Sequence, residues 1–324
     1  MIWATWRMHR LIFLVSLGAA AVVAIWLGVS GTRDMNAWSV FASHHCSTNY
    51  PGRSPICMTS LQGSGWSGSI NAGLCLALPG VLGLVVGTPL VAGEIQLRTN
   101  RLAWTQSITR TRWLMTKIGV GLLFTAVVTG ALTPLIWWWT DAARRGNHIQ
   151  PTNFDVSGFV IVAYAVFAFM LGVALGALIR RVGWAFAVGI PLFVAARLGV
   201  RDDIRPGLIA PTTATVDAFS PVYNTDWYLN AGFVPLGRST PAPGQTWASN
   251  DVVISKCQDP ASAGAQKPPH SATYCENAHH LHYVMQFQPP SHFWALQGAE
   301  SALFLGAAGV LLGLTVVAVR RWRT

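Results

Sequence analysis

The stretch that decides the fold runs from Phe159 to Val200 and reads FVIVAYAVFAFMLGVALGALIRRVGWAFAVGIPLFVAARLGV. Two apolar runs, Phe159 to Ile179 and Val182 to Val200, meet at Arg180-Arg181. The first carries no charged residue. About 20 residues of helix cross the 30 Å hydrocarbon layer of a bilayer, so each run is long enough to span it. The arginine pair holds the connection between them in water. The stretch therefore predicts two membrane helices joined by a tight corner. The second run holds Pro191 and ends near Arg197. Membrane helices tolerate such a proline when neighbours satisfy the freed backbone groups.

Four more runs outside this stretch have the same character. They are Leu11 to Val29, about Ala72 to Ala92, about Met115 to Trp139, and Ala302 to Val319. The composition agrees. Of 324 residues, 52% are apolar and 10% charged, against roughly 25% charged in a soluble domain. Mean hydropathy is +0.41. Lysine occurs only at 117, 256 and 267. So few charges cannot cover a soluble surface. The sequence predicts an all-α polytopic membrane protein of six spans, one transmembrane domain over residues 1–324.

The net charge of +10 raises nucleic acid as a partner. No cluster forms the continuous basic face that phosphate tracking needs, so that class is excluded. The basic residues follow membrane topology instead. Arg7 and Arg10 precede the first span. Arg98, Arg101, Arg110, Arg112 and Lys117 lie between the second and third. Arg180 and Arg181 join the fourth and fifth, and Arg320, Arg321 and Arg323 follow the sixth. All of these share one side, with Glu94 the lone acid among them. By the positive-inside rule that side is the cytoplasm, with both termini inside, as expected of a multi-pass protein of the plasma membrane. Leu11 to Val29 is longer than the 7–15 apolar residues of a cleaved signal peptide and reads as a retained span.

Three outer segments result. The largest, 201–301, is rich in Pro, Gly, Ser and Asn and reads as an irregular extracytoplasmic cap with short helices. Four cysteines fall outside as two local pairs, Cys46 with Cys57 and Cys257 with Cys275. An oxidising compartment permits disulfides, and pairing within each loop is the expected connectivity among three. Cys75, inside the second span, reads as apolar packing. His279, His280 and His282 lie near Cys275, but no spacing matches a closed zinc site, so no metal is expected.

Enzyme chemistry is absent from the pattern. There is no G-x-x-x-x-G-K-[ST] phosphate loop and no H-E-x-x-H, and no Ser–His–Asp set or pair of carboxylates lies within the spans. No catalytic residue is expected. Arg197 and Glu300 sit near the outer ends of their spans, and Arg197 is expected to snorkel to the interface. Gly83 with Gly87 and Gly172 with Gly176 each form G-x-x-x-G. Such pairs let helix backbones approach closely, whether within one subunit or between two.

The segment between the second and third spans, 94–114, is the most informative for function. Thr99 or Asn100 can cap a helix starting near Arg101. On its wheel Trp104 and Ile108 share one face. Leu102 and Trp113 fall nearly opposite, with Gln106, Ser107 and Arg110 between. Two apolar stripes suit a helix meeting two surfaces. A helix lying in the headgroup layer would also carry Trp and Arg in this way.

The run G-x-P-L-V-A-x-E from Gly87, followed by T-x-R-L-A-W-T-Q-S-x-T-R-T-R-W to Trp113, resembles permease subunits of ATP-binding-cassette (ABC) transporters, in the type-2 exporter-like family. Thr5-Trp6-Arg7-Met8-His9-Arg10 is similar to that family's leading T-W-R-x-H-R. Phe154-Asp155-Val156, Gly172 to Arg181, and Gln288-Pro289 through Phe293-Trp294 to Gln297 and Glu300 also match. The resemblance implies a chain that binds no cofactor of its own, with ATP and Mg held by a separate ATPase subunit. Two permease subunits, identical or different, would form the pathway in the lipid membrane for a substrate the sequence does not specify. The helix after Glu94 would be the coupling helix, docking the ATPase through Arg101, Trp104, Ile108, Arg110, Arg112 and Trp113. Glu94 would bond a helix N-terminus or pair with a nearby arginine. An amphipathic leading helix around Trp3 to Arg10 would lie along the inner interface. The alternatives are a non-transporting sensor or immunity protein on the same scaffold, and a secondary transporter or channel. The latter would want ionisable groups at mid-span.

Overall fold

With no water to satisfy backbone groups in hydrocarbon, apolar runs of this length fold as helix. The computed structural model describes residues 2–43, 55–96, 109–144, 148–215, 226–235 and 281–321. It is mostly helical, and among the described residues six helices are long and apolar enough to cross a membrane. In chain order the first three are α1 (Ile2–Ser43), α2 (Pro55–Gln96) and α3 (Arg110–Arg144). A short α4 (Pro151–Phe154) leads to α5 (Val160–Ile179) and α6 (Val182–Gly199). A π-helical turn (Val200–Ile204) runs on into α7 (Arg205–Leu208), and α8 (Phe293–Arg320) closes the bundle.

Several helices outrun the apolar segments that predict them. The 42 residues of α1 reach about 63 Å at 1.5 Å each, twice the hydrocarbon thickness. The leading segment Trp3 to Arg10 is the first part of this continuous helix rather than a separate interfacial one. Hydrogen bonding propagates through polar residues once a helix is nucleated, so hydropathy marks the membrane but not the helix ends. Likewise α3 begins at Arg110, where Thr109 Oγ1 accepts from the Arg112 amide at 3.4 Å and the Thr109 carbonyl from the Trp113 amide at 3.0 Å. Glu94 lies inside α2, and Arg110, Arg112 and Trp113 lie inside α3.

The bundle is not purely helical. The segment after α7 contributes β1 (Thr212–Thr215), β2 (Trp227–Pro235) and β3 (Leu281–Gln288), an antiparallel sheet in the order β1-β3-β2. Ala214 faces Met285, and Met285 faces Ala231 across the other ladder. This corrects the all-α expectation. A period-two alternation over Leu281, Tyr283, Met285 and Phe287 carries the signal, but the loop's Pro and Gly content hides it.

The helix at the centre is α5, which is buried along nearly its whole length. α2 lies along it, and the two G-x-x-x-G pairs make that contact. A Cβ at Gly83 would stand 2.5 Å from the Ala165 carbonyl oxygen, and one at Gly172 2.8 Å from Thr88 Oγ1. A Cβ at Gly176 would come within 2.8 Å of the Thr88 carbonyl, and one at Gly87 would collide with the Phe169 carbonyl. These glycines therefore pack helices within one subunit. The α5–α6 corner turns at Arg180, whose φ of 61° is left-handed and whose amide bonds the Gly176 carbonyl at 3.1 Å.

The bundle has two distinct ends. At the terminal end, Phe13, Trp113, Ile118 and Val319 share one apolar cluster. At the sheet end, Phe154, Tyr164, Trp227, Phe293 and Phe304 share another. Between them a third cluster joins α1, α2 and α3 through Leu27, Cys75 and Trp139. Polar bonds cross it, from Trp26 Nε1 to Asn71 Oδ1 at 2.8 Å and from Asn71 Nδ2 to Ser30 Oγ at 2.9 Å.

Candidate functional site

Two buried charge knots, one at each end, stand out in a chain so poor in charge. The first ties the terminal end. His9 of α1, Glu94 of α2 and Lys117 of α3 are all less than 10% exposed. His9 Nε2 lies 3.2 Å from Glu94 Oε1, and Lys117 Nζ forms an ion pair with the same oxygen. The Lys117 ammonium also sits 4.9 Å from the centre of the Trp113 ring, a cation–π contact. Burying an unpaired charge is costly, so a knot of this kind holds its helices in one arrangement. Glu94 thus pairs with a lysine and a histidine.

The placement of this knot matters. Glu94 is two residues from the end of α2, and Lys117 is two turns into α3. In the chain, the segment 97–108 connects the two. Arg101, Trp104 and Ile108 lie outside the described residues, as do Cys46, Cys257, Cys275 and the side chain of Cys57. Arg112 is exposed and Arg110 partly so, while Trp113 is 3% exposed and faces the bundle core. Cys75 is a buried thiol of the middle cluster.

The second knot lies at the sheet end. Arg205, carried inward where the π turn hands over to α7, is 1% exposed. Its Nε donates to Glu300 Oε2 at 2.6 Å and its Nη2 to Glu300 Oε1 at 2.9 Å. The same Nη2 pairs with Asp155. Tyr164 donates its hydroxyl to Glu300 at 2.5 Å, and the Phe154 ring lies 4.4 Å from the Arg205 guanidinium. Arg197 Nη2 stands 3.4 Å from Asp155 Oδ2, with its guanidinium 4.1 Å from the centre of the Tyr164 ring. Arg197 is therefore folded inward and does not snorkel. One guanidinium joins two carboxylates, of which Glu300 lies within the sixth span. No carboxylate pair is visible in the linear sequence because its members are 145 residues apart.

Gln297, one turn before Glu300, caps the approach to α5. Its Oε1 accepts from the Val160 amide at 3.0 Å, and its Nε2 donates to the Ser157 carbonyl at 2.9 Å. Gly158 turns there with φ of +70°, and a Cβ on it would stand 2.7 Å from Gln297 Oε1. Beside this corner His148 stacks on Trp137 at 4.1 Å, and Trp137 stacks on Trp294 at 5.7 Å. Burial lowers the His148 pKa below its ordinary value, against the opposing pull of Asp141.

Between the knots, α2 and α6 flank an open cavity of about 490 Å³. Its wall is apolar except at the sheet end, where Asp155, Arg197 and Arg201 meet it. Among the described residues no group of histidine, cysteine and carboxylate side chains could hold a metal ion.

The family described as "ABC-2 membrane transporter related" matches residues 15–205. No curated protein and no solved structure matches the chain. The matched region takes in most of the first span and the next four, and ends on Arg205, so the second knot draws its Arg205 guanidinium from inside the match and Glu300 from beyond it.

Proposed function

Since the chain belongs to the ABC-2 membrane transporter related family, we propose that this transporter-type membrane component is the permease subunit of an ATP-driven exporter. Its termini and the 97–108 segment face the cytoplasm, and the sheet faces outward, at the plasma membrane. A separate ATPase subunit binds ATP and Mg and docks on the segment between α2 and α3. A second permease subunit completes the pathway. The local pairs Cys46–Cys57 and Cys257–Cys275 staple the outer loops.

The observation that carries this reading is the position of the Glu94–Lys117–His9 knot. A push on the segment between α2 and α3 meets three helices already tied together at the two points where that segment is rooted. α2 is in turn keyed into α5 through the four glycines, which leave no room for sliding. ATP-driven closure of the partner would then move α1, α2, α3 and α5 as one body. Arg112, exposed at the start of α3, is placed to add a charge-assisted contact with the partner.

The test is a double variant, Trp104→Ala with Ile108→Ala. Truncating a buried aromatic anchor at an interface costs about 2 kcal/mol or more, roughly a thirtyfold loss of affinity. The variant should reach the membrane in normal amount, lose the co-purifying ATPase and lose transport. Normal ATPase binding and transport by this variant would reduce the segment to an interfacial anchor and remove the docking assignment.

A further inference from the structure

A row of aromatic rings lies at the sheet end, where α3 finishes and α5 and α8 begin. Trp137, two turns before the end of α3, stacks on Trp294 of α8. Trp294 stacks in turn on Phe159, the residue before α5, at 6.1 Å. Trp294 is 59% and Phe159 45% exposed. Neither charge knot uses these rings, and exposed apolar surface of this kind marks a contact with something outside the chain. Tryptophan, with an apolar body and a polar N–H, favours the headgroup layer of a bilayer over both water and hydrocarbon.

Helix lengths identify what covers the row. From Phe159 to Arg180, the whole of α5, is 21 residues or about 31 Å, the thickness of the hydrocarbon layer. The other helices repeat this spacing. From Lys117 of the first knot to Trp137 is 20 residues, about 30 Å. From Glu94 back to Asn71 on α2 is 23 residues, about 34 Å. Asn71 bonds both Trp26 and Ser30 of α1, and Ser30 lies 21 residues, about 31 Å, beyond His9. From Trp294 to Arg320 is 26 residues or about 39 Å, which fits the same layer at a tilt of about 37°, within the range of membrane helices. The first knot, Arg180 and Arg320 therefore mark one level. The aromatic row and the Trp26–Asn71–Ser30 bonds mark another, one hydrocarbon thickness away.

We propose that the row of Trp137, Trp294 and Phe159 seats in the phospholipid headgroup layer on the sheet side of the bilayer, and that this contact fixes the depth of the bundle. The inference rests on the six helices crossing a bilayer and is independent of any ATPase. Tyr164 and Glu300 then lie about 7 Å beneath that surface. The second knot thus sits at hydrocarbon depth, where charges are paired and turned into the protein. α1 continues 13 residues past Ser30 to Ser43, about 20 Å beyond the same level. Thr32, Arg33 and Asn36, all exposed, stand there in the aqueous phase.

The test places a genetically encoded fluorescent amino acid at Ala295, Leu305 or Asn36, exposed positions that leave the row intact. The full chain is held in phosphatidylcholine nanodiscs. The quenchers are phosphatidylcholine with a nitroxide on the headgroup, phosphatidylcholine with a nitroxide near the end of an acyl chain, and aqueous iodide. The reporter at 295 should be quenched most by the headgroup nitroxide. The one at 305 should be quenched most by the chain-end nitroxide, about 12 Å deeper. The one at 36 should respond to iodide and to neither lipid. Trp294→Leu, at an exposed position, keeps an apolar side chain without the N–H and should shift quenching at 295 toward the chain-end nitroxide. Chain-end quenching at 295 in the unsubstituted row would bury it in hydrocarbon, and iodide quenching alone would leave it in solution. Shielding of 295 from all three quenchers would place a protein partner there. Each of these results overturns the headgroup seat. No shift with Trp294→Leu would overturn the anchoring role, and lipid quenching at 36 would overturn the depth. Iodide quenching at 305 without lipid quenching would remove the span itself, which separates failure of the six-span reading from failure of the headgroup seat.

Discussion

Replacing Arg205 with methionine tests the sheet-end knot most directly. The side chain is 1% exposed, and it joins Glu300 through two bonds and Asp155 through a third contact. Methionine fills much of the volume but strands two carboxylates on α8 and the α4–α5 corner. Removing one partner of a buried ion pair costs about 3–5 kcal/mol. The lower end of that range applies, because Arg197 still faces Asp155 at 3.4 Å and Tyr164 still donates to Glu300 at 2.5 Å. A loss of about 3 kcal/mol shifts the folding equilibrium more than a hundredfold. The assay is reversible unfolding in mixed detergent–SDS micelles, followed by tryptophan fluorescence, since Trp137 and Trp294 lie beside the corner. Arg205→Lys keeps a charge but not the fork, and should recover only part of the loss. Arg205→Met combined with Glu300→Gln removes one stranded charge and should be more stable than Arg205→Met alone. Arg205→Met within about 0.5 kcal/mol of wild type, the scale of an ordinary surface substitution, would refute the argument. A double variant no better than the single one would refute it as well.

Other outcomes follow from the packing and the charge pattern. Gly87→Ala drives a methyl group into the Phe169 carbonyl and should cost about 1–3 kcal/mol by the same assay, whereas Gly130→Ala, with nothing within 4 Å of its Cβ, should cost nothing measurable. Accessibility reporters after Arg181 and at Thr324 should read cytoplasmic, and those near Asn49, Gly146 and Gly264 external; an external C-terminus would reverse the topology. Mass spectrometry of the non-reduced protein should find Cys46 linked to Cys57 and Cys257 to Cys275, with all four thiols reactive as the refuting result.

The amino-acid sequence by itself determines six segments long and apolar enough to cross a membrane as helices. Hydrocarbon forces every backbone group into a local hydrogen bond, and a run of twenty apolar residues has no other solution than helix. The same local logic makes the two G-x-x-x-G pairs legible as close-packing sites. It could not say which surface they meet, because glycine permits approach without naming a partner. Only the tertiary structure turns both pairs toward each other along α2 and α5. The charge knots were out of reach for a different reason. Arg197 read alone is an arginine near a span end, for which the interface is the cheapest place. It turns inward because Asp155, Tyr164 and the Leu76 carbonyl surround it, and none of these is its neighbour in sequence. Arg205, Glu300 and Asp155, like His9, Glu94 and Lys117, are separated by tens of residues or more. Pairing between charges depends on distance in space, and in a low-dielectric interior it outweighs the local preference of each residue for water. That balance is set when the helices assemble, so the strongest polar contacts of this protein belong to its tertiary structure alone.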